Sequence, residues 1–306
     1  MKRVIIFYFS GTGHTEIVAE MIKNALHTQG VHVDCHRIDR CVLDGSIPDI
    51  SGYDAVGIGY PIYAFNVPRT VEEFVRMLPK GGKPVFVFKT AGEPFMFNKP
   101  SSYFIHGQLR RRGYGLIYER LYLMPYNIVF RYPDEVVKEI YTLSECLAGK
   151  MAEDIVRGAE HKPRYNPLLV LISLVMRIQF PGARLNGRLM RAGKDCNRCG
   201  KCVRECRGGN IRMDRGRVRF GWRCVMCMRC VMFCPKSAVK AGILEPWAVR
   251  GAYDFKGIVN NPAVEGRYIE NCRKGFFTHF KKYLAQAEDW AGEPAGQETD
   301  RERPGA

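Results

Sequence analysis

Acidic side chains nearly vanish from one stretch of this 306-residue chain. Residues 161 to 240 hold three Asp and Glu against 19 Lys and Arg, whereas residues 1 to 160 hold 18 acidic and 19 basic side chains, and residues 241 to 306 hold ten and nine. The formal charge of +16 therefore sits in one segment, which excludes a uniformly basic coat of the kind that wraps nucleic acid. Long apolar runs are missing too. Val4 to Phe9 is followed at once by Ser10-Gly11-Thr12-Gly13 and falls short of the ~7–15 residue core of a signal peptide. Leu168 to Met176 stops at Arg177, well below the ~20 residues that span a bilayer, so no transmembrane segment is expected. No conspicuous constellation of acid, base and nucleophile marks a substrate-converting site. The length leaves room for two or three compact domains of roughly 150 residues or fewer.

What is present in the first half is an alternation of short apolar runs and helical patterns. Val4 to Phe9 reads as a buried strand, and Ile17, Val18, Met21, Ile22, Ala25 and Leu26 recur on one face of a helix. Further strands are predicted at Val31 to Ile38, Ala55 to Tyr60, Val85 to Thr90 and Leu116 to Leu123. Helices are predicted around Val67 to Leu78, Ser102 to Arg112 and Pro133 to Ala159. Strands separated by helices imply right-handed parallel crossovers, hence an α/β, doubly wound five-stranded parallel sheet with its ligand outside the carboxyl ends of the strands.

The loop after the first strand, Ser10-Gly11-Thr12-Gly13-His14-Thr15, has small residues that let backbone N–H groups close on a phosphate, hydroxyls that donate further bonds, and a helix start behind it. It carries no Lys or Arg and matches the flavodoxin phosphate loop, so these six residues are candidates for binding FMN. Pro61, Ile62, Tyr63 and Ala64 follow the third strand and Thr90, Ala91, Gly92 and Glu93 the fourth; both loops are candidates to flank the flavin ring, with Tyr63 the stacking candidate. Gly57-Ile58-Gly59 lacks the third glycine of a dinucleotide fingerprint, and Gly81-Gly82-Lys83 lacks the Walker spacing.

Eight of the 12 cysteines fall between Cys196 and Cys234. They form two copies of C-x2-C-x2-C-x3-C, the spacing of bacterial ferredoxins, in which the fourth cysteine of each run reaches the other cluster. On that logic Cys196, Cys199, Cys202 and Cys234 hold one [4Fe-4S] cluster, and Cys224, Cys227, Cys230 and Cys206 hold the second. Four thiolates also suit zinc, but zinc ribbons use paired knuckles rather than runs of three. Cys206 is followed by Arg207 where these ferredoxins usually have Pro, as Cys234-Pro235 does here. Cys35, Cys41, Cys146 and Cys272 receive no role.

Together with the Met124-Pro125-Tyr126-Asn127 turn, these motifs resemble the EFR1 family of flavodoxin–ferredoxin fusion proteins over roughly residues 1 to 240. The resemblance implies a flavodoxin-like domain followed by a small α+β two-[4Fe-4S] ferredoxin-like domain, with FMN and two clusters as cofactors and electron transfer, mostly in anaerobes, as activity. It also brings Phe95 and Phe97 near the ring, though core packing suits them better. The expected division is 1–160 flavodoxin-like, 161–194 a basic connector, 195–240 the two-cluster domain, 241–286 a C-terminal extension and 287–306 a disordered tail. The leading expectation is a cytoplasmic relay between the clusters, FMN and an outside redox partner. The alternatives are a flavin-dependent oxidoreductase fed by the clusters and, less favoured, a nucleic-acid-binding iron–sulfur protein. If each oxidised cubane and the FMN phosphate carry about −2, the loaded chain is nearer about +10, and the remaining positive field suits an acidic redox partner better than nucleic acid. The apolar stretch from Leu168 to Phe180, with Arg184, Arg188 and Arg191 after it, leaves a peripheral membrane contact open, against packing on the first domain.

Overall fold

The computed structural model describes residues 1–292. The first strand, β1 (Arg3–Tyr8), leads into α1 (His14–Thr28), then β2 (His32–Arg37), α2 (Ile38–Asp44), β3 (Ala55–Pro61), α3 (Arg69–Met77), β4 (Pro84–Ala91), α4 (Tyr103–Arg111), β5 (Gly115–Leu123) and α5 (Asp134–Arg157). The five strands are all parallel in the order β2-β1-β3-β4-β5, which puts the switch point at β1 and β3. Side-chain alternation along β1 divides the core: Val4, Ile6 and Tyr8 join the cluster under α1 and α5, while Ile5, Phe7 and Phe9 join the one beneath α3 and α4. Gly57 and Gly59 of β3 have a packing reason. A Cβ at either would lie 2.5 and 2.1 Å from the rings of Phe86 and Phe88 on β4.

Two short elements of the sheet domain are absent from the sequence reading: the 3-10 turn Met96–Ser102 and α2, where the predicted strand ran on to Ile38. The seven residues of α2 are too few to show a helical period, and Arg37 and Asp39 at its start are tied to each other.

The stretch read as a connector is mostly one continuous helix, Pro167–Leu189, made of α6 (Pro167–Val175), a 3-10 turn at Met176–Ile178 and α7 (Gln179–Leu189). Arg177, which seemed to end the apolar run, turns inward to a bidentate pair with Glu72 at 2.7 and 3.0 Å, and the helix passes through. At 23 residues it is long and apolar enough to cross a bilayer by length and composition alone, a length that the run from Leu168 to Met176 did not show.

The cysteine block has little regular structure: β6 (Arg191–Ala192) pairs antiparallel with β9 (Val239–Lys240), and β7 (Ile211–Asp214) forms a hairpin with β8 (Arg217–Phe220). Two one-turn helices, α8 (Lys201–Arg204) and α9 (Arg229–Met232), complete it. Beyond it, α10 (Phe255–Asn260), α11 (Tyr268–Asn271) and α12 (Lys281–Gly292) return to the sheet domain and pack on α5. Glu139 of α5 accepts the Ile269 and Glu270 N–H groups at 2.6 and 3.2 Å, and Arg120 of β5 lies over the Trp290 ring. The tail expected from 287 onward begins inside α12, where Ala287 is buried; residues 293–306 lie outside those described.

Candidate functional site

The loop from Ser10 to Thr15 leaves the carboxyl end of β1 and turns into α1. Gly13 holds a φ of 99°, a left-handed conformation that glycine adopts without strain, and no side chain caps the helix. Ser10 Oγ accepts the Gly13 N–H at 3.1 Å, the Thr15 and Thr90 hydroxyls lie 2.8 Å apart, and Asn127 Nδ2 donates to Thr12 Oγ1 at 3.4 Å. A buried, uncapped helix start with hydroxyls around it and no Lys or Arg within its own loop suits an anion held by neutral donors.

This loop opens on a cleft of about 250 Å³. Ser10, Gly11, Thr12, His14, Thr15, Pro61, Ile62, Tyr63, Ala64, Thr90, Ala91, Gly92 and Glu93 all line it; Gly13 stands back, and Phe97 packs on Phe65 instead of reaching the cleft. The His14 ring packs edge-on against Tyr253 and Phe255, and burial holds its pKa down to about 4, so it is neutral. Ala64 and Phe65 both take positive φ, 42° and 63°, in a two-residue turn closed by paired Tyr63 and Asn66 backbone bonds. That turn, strained for residues other than glycine, fixes where Tyr63 points. Phe95, which the family resemblance brings near the ring, lines the cleft, as do Tyr126 and Asn127 of the turn after the fifth strand; Met226, from the cysteine block, is a wall residue that no sequence motif signalled. Tyr126 owes its position to Gly92, where a Cβ would lie 2.1 Å from the ring.

The eight cysteines gather as two sets. Cys196, Cys199, Cys202 and Cys234 line one cavity with Cys230, and burial, with Cys224 and Cys206 nearby, pushes the Cys227 thiol up. The two halves repeat in backbone as well as sequence. Arg198 and Gly200 flank Cys199 with positive φ, as Met226 and Met228 flank Cys227. The Asn210 N–H donates to Cys206 Sγ at 3.1 Å, as the Ala238 N–H donates to Cys234 Sγ at 3.3 Å. Arg207 thus makes the same turn as Pro235. Among the described residues no three His, Cys, Asp or Glu side chains converge on a single-ion position. The small cavity shared by Cys196, Cys199, Cys202 and Cys234 suits a multi-iron cubane, and N–H donors aimed at sulfur are what such a cluster requires.

The second set lies against the cleft. A Cβ on Gly11 would meet Cys227 Cβ and its carbonyl oxygen at 2.8 Å and the Tyr63 hydroxyl at 2.7 Å, so the phosphate loop and the cluster loop touch. Met226 lines the cleft itself, and Arg229 donates to the Gly11 carbonyl at 3.1 Å while paired with Glu205. The Tyr63 hydroxyl is buried without a hydrogen-bond partner, and Cys227 and Cys224 are the ionisable groups facing it. Arg207, the departure from the ferredoxin pattern, is buried and reaches Asp39 of α2 at 3.4 Å, beside the Arg37 pair. Burial pushes the Asp39 carboxyl up against the pull of Arg37.

Comparison with known proteins agrees with this division. Residues 5–88 match the family model of a flavodoxin domain, and residues 188–235 that of a 4Fe-4S dicluster domain. An uncharacterised protein of Methanocaldococcus jannaschii is 29% identical over 122 residues, 39% of this chain and 73% of that protein. Among solved structures, the chain is similar to the rubredoxin oxygen:oxidoreductase of Desulfovibrio gigas (18% identity, TM-score 0.38, 52% of this chain and 37% of that one). It is also similar to a flavodoxin from the domain Archaea (18%, TM-score 0.35, 50% and 99%) and to the two-electron reduced Megasphaera elsdenii flavodoxin (24%, TM-score 0.34, 49% and 98%). The chain joins a flavodoxin domain to a 4Fe-4S dicluster domain, and its cofactors are FMN and two [4Fe-4S] clusters.

Proposed function

We propose that the chain is an electron-transfer protein in which the Cys196, Cys199, Cys202 and Cys234 set exchanges electrons with an outside protein and the Cys206, Cys224, Cys227 and Cys230 set connects the first set to FMN. The observation that carries this reading is the contact between Cys227 and Gly11, which brings a member of the second set against the phosphate loop. When bound, FMN handles electrons in pairs or singly and each cubane handles one. The chain's own residues hold, orient and shield. Ser10, Thr12, Thr15 and the start of α1 hold the phosphate, and the loops Pro61 to Ala64 and Thr90 to Glu93 flank the ring. The Tyr63 hydroxyl, buried without a partner beside Cys227 and Cys224, would be available to donate to a sulfur of the bound second cluster.

The β7–β8 hairpin exposes Arg212, Arg215, Arg217 and Arg219, and Gly216 at its tip approaches Arg198 beside the first set. This supports an acidic partner docking at the cluster farther from the flavin. A carrier fits better than a substrate-converting enzyme, because among the described residues Glu93 is the one carboxylate on the cleft wall, and it lies 3.3 Å from His279. The test is a Cys199→Ser variant loaded with FMN and reduced by an acidic ferredoxin. Loss of the first cluster with full FMN content and a fall of flavin reduction to background is expected. Flavin reduction at the original rate would overturn the order of the relay.

A further inference from the structure

The helix Pro167–Leu189 is turned inside out. Its inward side carries the polar contacts: Asn66 Nδ2 donates to the Ser173 carbonyl at 2.8 Å, Ser173 Oγ donates to the Phe65 carbonyl at 3.2 Å, Arg177 pairs with Glu72, and Gln179 Nε2 donates to the Tyr63 carbonyl. Its outward side is Leu168, Leu171, Leu174, Val175, Ile178, Leu185 and Leu189, exposed side chains that fall within one half of the helical wheel. Leu171 is 55% and Ile178 72% exposed, values that a soluble helix reserves for charged residues. Met96, 58% exposed on the 3-10 turn that packs against α6, adds to the patch.

Charge selects the occupant. From Lys162 to Lys194 there are seven Lys and Arg and no Asp or Glu, and Arg184, Arg188 and Arg191 are all exposed beside the apolar face or just past its end. A second copy seated on this face would bring two such basic rims together. An anionic bilayer meets both the apolar stripe and the rim. A spanning orientation is excluded by the inward contacts, since Arg177 and Ser173 at mid-helix would have to leave Glu72 and Asn66 for hydrocarbon. We propose that this helix lies flat in the headgroup region of an anionic membrane, apolar face down, with the flavodoxin domain carried on its polar side. The contacts to Tyr63, Phe65 and Asn66 come from the loop after β3, so the membrane-facing helix is tied directly to the flavin cleft.

The test is flotation of the FMN- and cluster-loaded full chain with phosphatidylcholine vesicles, with and without phosphatidylglycerol. The wild type is expected to float with the phosphatidylglycerol vesicles, less so at high salt. A Leu171→Glu, Ile178→Glu double variant, whose side chains point to solvent, is expected to keep its iron and FMN content and to lose at least about tenfold in binding. Wild type that stays off both vesicle types, or a double variant that floats equally well, overturns the proposal. So does a wild-type dimer in sedimentation velocity that the double variant converts to monomer, since a second copy then covers the face.

Discussion

The sheet domain and the cysteine block solve the problem of a stable interior differently. The first buries two continuous apolar layers, one on each face of five parallel strands, with aromatic residues such as Phe7, Phe74, Phe86 and Phe88 fully enclosed. The second buries seven apolar side chains, and its partly buried neighbours are chiefly the cysteines themselves. A segment of that size has too little apolar surface to fold on its own, so its four-sulfur sets take the place of a core. The two cofactors therefore stand differently toward the folding of their domains: FMN would enter a finished cleft, whereas iron and sulfide would complete an unfinished interior.

The sharpest way to break this contrast is to remove iron and sulfide. Hydrogen exchange of the cluster-free chain is expected to lose protection by orders of magnitude in peptides from 195–240 while peptides of β1, β3 and β4 stay protected. Equal protection of the cysteine block with and without iron would mean that its small core suffices.

A smaller effect is expected at the seam. Asp39→Ala leaves the Arg207 guanidinium buried beneath the sheet domain without its carboxylate, a loss of about 3 kcal/mol read as a lower unfolding midpoint. Arg207→Ala is expected to lose less, because Arg37 still pairs with Asp39. Unchanged midpoints for both would show that the two domains hold together by other contacts.

A last effect, confined to the acid range and so absent at neutral pH, lies within the sheet domain. Glu119 is buried between Lys89, at 2.6 Å, and His106, at 2.9 Å. Burial alone would raise its pKa, but the pull of Lys89 and His106 wins and holds it down from 4.5 to about 2. A depressed carboxylate contributes stability that is complete above its unfolded value and is lost as pH falls through the folded one, so up to about 3 kcal/mol disappears between pH 4.5 and about 2. Thermal melts of wild type and Glu119→Gln across that window are expected to converge at the acid end. A constant gap between them would remove Glu119 from the acid response.

By itself the sequence determined the sheet and marked the two cysteine runs of the 4Fe-4S dicluster domain. Strand and helix periods are local properties, and the flavin loop and the two cysteine runs are contiguous, so Ser10 to Thr15 and Cys196 to Cys234 could be read off the chain. Short α2 was not legible, because seven residues carry no period, and neither was the outward apolar face of Pro167–Leu189, because apolar composition says nothing about which side meets a neighbour. Only the tertiary structure decided that Cys227 meets Gly11 across more than 200 residues, that Arg207 stands in for Pro in order to reach Asp39, and that the Tyr63 hydroxyl faces the second cysteine set. Such contacts depend on how two separately legible domains dock, and docking is set by the shape and charge of whole surfaces, which no local pattern along the chain records.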